Sequence, residues 1–332
     1  MELTIKNIIK EKRRKAIPIM TNPGIELIGE TVKNAVTDGI IHYKAIKAVS
    51  DRYGSAACTV IMDLTVEAEA FGAEIVFPED EVPSVIGRLL TDAAAVEELE
   101  VPELTRGRIP QYILANRLAA ENITDKPVLS GCIGPFSLAG RLYDMSEIML
   151  AIYLEPDTVN ALLQKCTRFL IRYCQALKDT GTSGVIIAEP AAGLLRNEDC
   201  LMYSTEFVKQ IVDAVQDDGF IVVLHNCGNT GNCTDAMVKS GAKALHFGNK
   251  INMVKALQDC PSDIIVMGNI DPVSILKQAS PEEVYKETRE LLDSTGDCEN
   301  FILSSGCDVP PFVPHENIIA FFEALNEYNN SL

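Results

Sequence analysis

Positive charge is scarce in this chain. Its 332 residues carry 29 Lys and Arg against 47 Asp and Glu, a formal net charge of −18. Such a surface is repelled by phosphate backbones and by anionic lipid, so nucleic acid and membrane surfaces are poor partners. Anionic small molecules stay open where a few basic residues line a pocket. Long apolar runs are missing too, and no stretch approaches the roughly 20 residues of a membrane span. The N-terminal "MELTIKNIIKEKRRKAIPIMTNPG" follows its basic residues with only "AIPIM". That run is too short for an export-signal core and precedes no small-residue cleavage site. It reads as a short amphipathic helix feeding a strand. The expectation is a cytoplasmic chain whose ten cysteines stay reduced. Glycine-rich phosphate turns, G-x-G-x-x-G or G-x-x-x-x-G-K-[ST], are absent, as are internal repeats, low-complexity tracts and flexible linkers.

What is present is alternation. Short runs rich in Val, Ile, Leu and Phe recur at 16–21, 127–134, 184–190, 220–228, 243–248, 263–271 and 301–308. Apolar residues on both faces are the mark of buried parallel strands. Helical patterns fall between them. Residues 155–181 show apolar helical spacing and a glycine stop, 204–219 start at a capping-type Ser204, and 281–296 have an acidic first turn. Repeated strand–helix units predict a parallel sheet with helices outside. We expect an α/β fold, a (β/α)8 TIM barrel forming a single domain over 1–332, with an open doubly wound sheet as the second choice. Residues 24–125 are read as an N-terminal helical elaboration, with an eighth strand hidden in 59–80.

In such barrels the chemistry sits where strands end. The strand ends here bring up Glu189, His225-Asn226-Cys227-Gly228, His246, Asn269 and Asp271, and then Ser304 to Asp308. His225 and Cys227 are two apart at a strand end, so both side chains can face one side. Cys307 lies far along the chain, yet its strand end would face the same mouth. One imidazole and two thiolates suit Zn²⁺ with an open fourth position. Cys233, at the expected start of the next helix, competes with Cys307 as third ligand, and Cys307 is favoured. Buried residues without metal are the plain alternative. Asp271 and Asp308 read as turn or cap residues, His246 and His315 as structural, and Arg141 and Arg196 as ordinary surface arginines.

"AEAFG" (68–72), "GPFSLA" (134–139), "HNCGN" (225–229), "GNIDP" (268–272) and "SSGCDVPPFVPHENIIAFFEA" (304–324) together resemble the uroporphyrinogen decarboxylase superfamily. The last three resemble its methylcobamide:coenzyme M methyltransferase branch. The resemblance implies a TIM barrel and a zinc held by His225, Cys227 and Cys307. It also implies methyl transfer from a methylated corrinoid to a thiol acceptor such as coenzyme M. No D-x-H-x-x-G corrinoid motif is present, so the methylcorrinoid would arrive on a separate corrinoid protein. Glu189 is the candidate catalytic residue, as a fourth ligand or as the base that takes the thiol proton; capping a helix is its alternative role. The decarboxylases carry an arginine-rich N-terminal motif, whereas "PIMTNPGIELIG" here has no arginine. A porphyrin decarboxylase and a non-catalytic zinc-binding barrel are the rival readings.

Overall fold

The computed structural model describes residues 13–332, so the expected N-terminal helix lies outside the described residues. The strands are β1 (Cys58–Thr59), β2 (Glu74–Val76), β3 (Ser84–Ile86), β4 (Val128–Ile133), β5 (Gly184–Ala188), β6 (Ile221–Asn226), β7 (Ala244–Phe247), β8 (Ile265–Ile270) and β9 (Phe301–Ser305). Seven of them pair in parallel in the order β1-β4-β5-β6-β7-β8-β9, and β2 and β3 form a separate antiparallel hairpin.

The two edges of the sheet are joined by residues 15–17. Ile17 N donates to Leu303 O (2.9 Å), Leu303 N to Lys15 O (3.1 Å), and Ala56 N to Ala16 O (2.9 Å). The first candidate strand therefore fills the eighth stave of a TIM barrel. Its ladder with β9 is a bridge at Ala16, beyond which the Ile17 carbonyl and Ile19 N bond the Ser304 and Ser305 side chains instead. The strand sought in 59–80 is β1, which ends where that window opens. Residues 24–125 carry several helices, together with the β2–β3 hairpin, whose three-residue strands give little sequence signal.

Side chains alternate between two cores. Ile17, Leu129, Ile186, Val223, Ile265 and Ile302 pack inside the barrel. Their neighbours in sequence face the helical layer, where Phe136, Phe169 and Tyr173 are buried. The helix Pro156–Lys178 buries Val159, Leu162, Leu163, Cys166, Phe169, Leu170, Tyr173, Cys174 and Leu177 along one stripe. Gly181, at φ +91°, turns the chain back into β5. Pro281–Ser294 starts at a reciprocal Ser280–Glu283 capping box. Ser204 is not a helix start. The helix begins at Asn197 and passes through a π turn, Leu201–Thr205, into Glu206–Val215. No helix among the described residues is long and apolar enough to cross a membrane.

Buried charge ties the elaboration to the barrel. Arg108 bonds Asp63, Glu69 (2.6 Å) and Thr65 (2.8 Å) and lies over the Phe77 ring. Asp63 follows β1, so this one guanidinium pins the loop above the mouth. Next to it Glu67 accepts from Ile133 N (3.1 Å), and burial pushes its carboxyl up to about 8.

Arg108→Ala leaves the Asp63 carboxylate buried and unpaired, and is expected to cost about 3–5 kcal/mol in urea unfolding. Adding Asp63→Asn should recover part of that loss; a single variant that unfolds like the parent contradicts the pairing. For Glu67 the sign follows from its raised folded pKa. The proton it holds stabilises the fold below its unfolded value, and that contribution is lost as pH rises through the folded one. Stability should therefore fall between pH 4.5 and about 8, and Glu67→Gln should flatten the fall. An unchanged pH slope in that variant rules out the assignment.

Candidate metal centre

The alternation that fills the barrel also builds its upper layer. On β6, Ile221 and Val223 face the interior, so His225 does too. On β7 His246 follows Ala244, and on β9 Ser304 follows Ile302, each by two residues. Parallel pairing sets His225 beside His246. Above the last apolar layer, the barrel is closed by imidazoles and a hydroxyl.

Cys227 continues the inward parity of His225, and Cys307 follows the end of β9. One ligand atom from each of His225, Cys227 and Cys307 lies within 4.8 Å of the others. The third member of the group is thus Cys307, not Cys233. Two close backbone approaches hold these loops. A Cβ on Gly248 would come within 2.7 Å of the Cys227 Cα, and one on Gly306 within 2.7 Å of the Asn249 N. The Gly248-Asn249 turn is therefore wedged between the two cysteine loops, and a side chain at either glycine would push them apart.

His225 is 2% exposed, whereas the two cysteines are partly exposed. The imidazole thus lies deeper than the two cysteines. The His225 Nδ1 lies 2.8 Å from the His246 Nδ1, and the His246 Nε2 lies 2.8 Å from the Ser304 hydroxyl. The His225 Nε2 is buried and has no hydrogen-bond partner. A buried unpaired nitrogen beside two thiols is a donor set suited to a metal ion. The thiols influence one another. The Cys307 S–H lowers Cys227 to about 7, and Cys227 raises Cys307 to about 12.

Cys233 is elsewhere. It sits at the start of the Thr234–Lys239 helix, and its sulfur donates to the Leu195 carbonyl (3.3 Å) in full burial. Asn229 holds it there, its side-chain oxygen accepting from Gly231 N (2.8 Å) and Cys233 N (3.1 Å).

Glu189 follows the inward-facing Ala188, so parity turns it outward. Its carboxylate accepts from Phe136 N (2.8 Å), Ser137 N (2.9 Å) and Ser137 Oγ (2.6 Å). It caps the N-terminus of the helix Pro135–Tyr143, and burial pushes it up to about 7. The helix it caps follows β4, not β5. Gly134 is needed there because a Cβ would meet the Glu189 side chain at 2.2 Å. This accounts for "GPFSLA".

Asp271 is a turn residue, accepting from Val273 N (2.8 Å) and Ser274 N (2.9 Å). Asp308 does more than cap. It accepts from Met62 N (3.2 Å) and ties the Cys307 loop to the segment after β1, and burial pushes its carboxyl well above the ordinary range. His315 pairs with the Tyr53 hydroxyl at the start of the last helix, and Arg196 is engaged by Asp199 and Tyr153. The sequence reading named His246 and Ser304 at strand ends, took the first as structural and gave the second no role, whereas the structure sets both behind His225. Their signal was the shared inward parity with His225.

Comparisons with known proteins agree with this geometry. The family description "Uroporphyrinogen decarboxylase (URO-D)" matches residues 13–328. The chain is 30% identical over 280 residues to the methylcobamide:CoM methyltransferase MtbA of Methanosarcina acetivorans, covering 83% of this chain and 80% of that one. It is 31% identical to the corresponding Methanosarcina mazei protein, with the same coverage. A uroporphyrinogen decarboxylase of Vibrio campbellii is 26% identical, over 83% of this chain and 80% of its own. Among solved structures, a methyltransferase from Methanosarcina mazei superposes with a TM-score of 0.88 at 24% identity, covering 99% of both chains. A B12-independent methionine synthase from Shewanella shares the fold more loosely, with a TM-score of 0.60 at 14% identity over 88% of this chain and 87% of its own. The chain belongs to the uroporphyrinogen decarboxylase family, in its methyltransferase branch.

Proposed function

We propose that the protein is a zinc-dependent methyltransferase. It moves a methyl group from a methylated corrinoid, carried by a separate corrinoid protein, to a small-molecule thiol such as coenzyme M. The observation that carries this reading is the convergence of His225, Cys227 and Cys307, with the His225 Nε2 buried and unpaired. The relatives named as methylcobamide:CoM methyltransferases supply the classes of donor and acceptor. The work is cytoplasmic, where thiols stay reduced.

The donor set fits zinc: one imidazole nitrogen, two soft sulfurs and one side left open. Zn²⁺ held by the His225 Nε2 and the sulfurs of Cys227 and Cys307 would keep an acceptor thiol ionised at neutral pH. The rest is the work of the chain. Cys227 and Cys307, partly exposed, present the acceptor side to the opening. His225, deeply buried, is fixed in one orientation from beneath. Glu189 holds the Pro135–Tyr143 helix against the mouth as a positioning residue. In the overall transfer the acceptor gives up its proton, an S–CH3 bond forms, and the Co–C bond breaks with its electron pair left on cobalt. The corrinoid carries the difficult chemistry, and the protein orients the acceptor. Porphyrin decarboxylation is disfavoured because residues 18–29 contain no arginine to grip a polyanionic substrate.

Purified protein should hold about one zinc per chain. Metal analysis should find it lost in Cys307→Ala and kept in Cys233→Ala; the reverse pattern defeats the ligand set. Zinc-replete protein mixed with methylcobalamin and a panel of thiols should demethylate the corrinoid, followed by cobalamin absorbance. Chelation should abolish the reaction, and added zinc should restore it. Full zinc with no demethylation by any thiol overturns the proposal.

A further inference from the structure

Two buried imidazoles facing each other through the same ring nitrogen need an explanation. His225 Nδ1 and His246 Nδ1 are 2.8 Å apart, edge to face. One must donate and the other accept, so a single proton lies between them. Which ring owns it is decided one residue further on. The Ser304 hydroxyl is 2.7 Å from the Ile17 carbonyl and 2.8 Å from the His246 Nε2. A carbonyl oxygen only accepts, and a hydroxyl has one proton to give. Ser304 therefore donates to Ile17, and the His246 Nε2–H donates to Ser304. The other arrangement would set two acceptors face to face at 2.7 Å.

His246 is 0% exposed, and neither of its hydrogen-bond partners is a carboxylate, so the ring is neutral. With its proton on Nε2, its Nδ1 is an acceptor. His225 must then carry its proton on Nδ1, which leaves a lone pair on the Nε2. That Nε2 is the buried, unpaired atom beside Cys227 and Cys307.

We propose that His246, anchored through Ser304 to the Ile17 carbonyl, is a positioning residue that sets the His225 tautomer and orientation so that Nε2 is permanently presented to the metal. The inference rests on the zinc reading above and deepens it. Metal-bound histidines commonly have their second nitrogen held by a carboxylate or a backbone carbonyl. Here an imidazole and a hydroxyl carry the same constraint across three strands to a carbonyl at the seam of the barrel. At that seam the Ile17 carbonyl accepts from the Ser304 side chain. The Ile17 segment, β9, β7 and β6 thereby act on one nitrogen.

The test needs tautomers as well as affinity. The chain has four histidines, so ¹⁵N-labelled imidazole signals of zinc-free protein can be assigned by substitution. In the parent protein the His225 signal should show a protonated Nδ1 and a bare Nε2. His246→Leu should lose that preference and bind zinc about 10–100-fold more weakly by chelator competition. Its Co²⁺-substituted form should show altered d–d absorption. His246→Asn keeps an oxygen acceptor where Nδ1 stood, and should restore both the tautomer and most of the affinity. A His225 proton found on Nε2 in the parent protein overturns the proposal without any variant. So does unchanged zinc affinity in a folded His246→Leu. A confirmed tautomer and zinc dependence on His246, without thiol methylation, leaves the relay standing and removes only the proposed function. Should His246→Leu fail to fold, the parent tautomer and the His246→Asn affinity still decide.

Discussion

Parallel strands in this barrel are paired residue against residue, Ala188 with His225 and His225 with His246, and every second side chain points inward. Most of the site follows from that alternation. It stacks the apolar layers that hold the barrel together, and it brings His225, His246 and Ser304 to one level above them. It also sends Glu189 outward. A register shift of one residue would exchange these roles, placing a carboxylate inside and the imidazole among the helices. The apolar layers beneath the site prevent that shift, because it would move Val223, Ile186 and Ile302 out of the interior as well. The same burial that stabilises the barrel therefore orients its polar end.

Polar groups at that end are partnered by neighbouring strands. Glu189 gathers the amides of the Pro135–Tyr143 helix, Asp308 links the Cys307 loop to the segment after β1, and Arg108 binds the carboxylates beside it. A buried donor or acceptor without a partner costs on the order of 1–3 kcal/mol, and the unpaired His225 Nε2 is distinguished by lying beside two thiols. The two cysteines beside it are partly exposed. The acidic surface of the chain is remote from this logic: two sulfurs and an imidazole recognise a soft cation, and net charge has little part in it.

Glycine contributes by being absent as a side chain. Gly134, Gly248 and Gly306 each lie where a Cβ would collide with a neighbouring loop, and none of these three has a positive φ. They allow close approach. The motifs "GPFSLA" and "SSGCD" are thus packing motifs as much as chemical ones: one seats the Glu189 cap, and the other lets the Cys307 loop close on Asn249.

Much of this was legible in the sequence, because apolar alternation and helix punctuation are local. The strands from β4 to β9, the long Pro156–Lys178 helix and its glycine stop, and the Pro281–Ser294 helix with its acidic first turn were all readable from neighbouring residues. So was the pairing of His225 with Cys227. Ser204 misled, since a serine before an apolar run looks the same at a helix start as inside a π turn. The β2–β3 hairpin, with strands of three residues each, announced nothing, because so short a run shows no alternation. Glu189 could be named but its role could not, because its partners come from a helix more than fifty residues earlier. The choice between Cys233 and Cys307 was of the same kind. The sequence by itself determined which residues could serve: the thiols, the imidazoles and the strands that end in them. Only closure of the barrel decided which of them meet, because convergence at the mouth depends on register between strands far apart in the chain, and no local pattern records it.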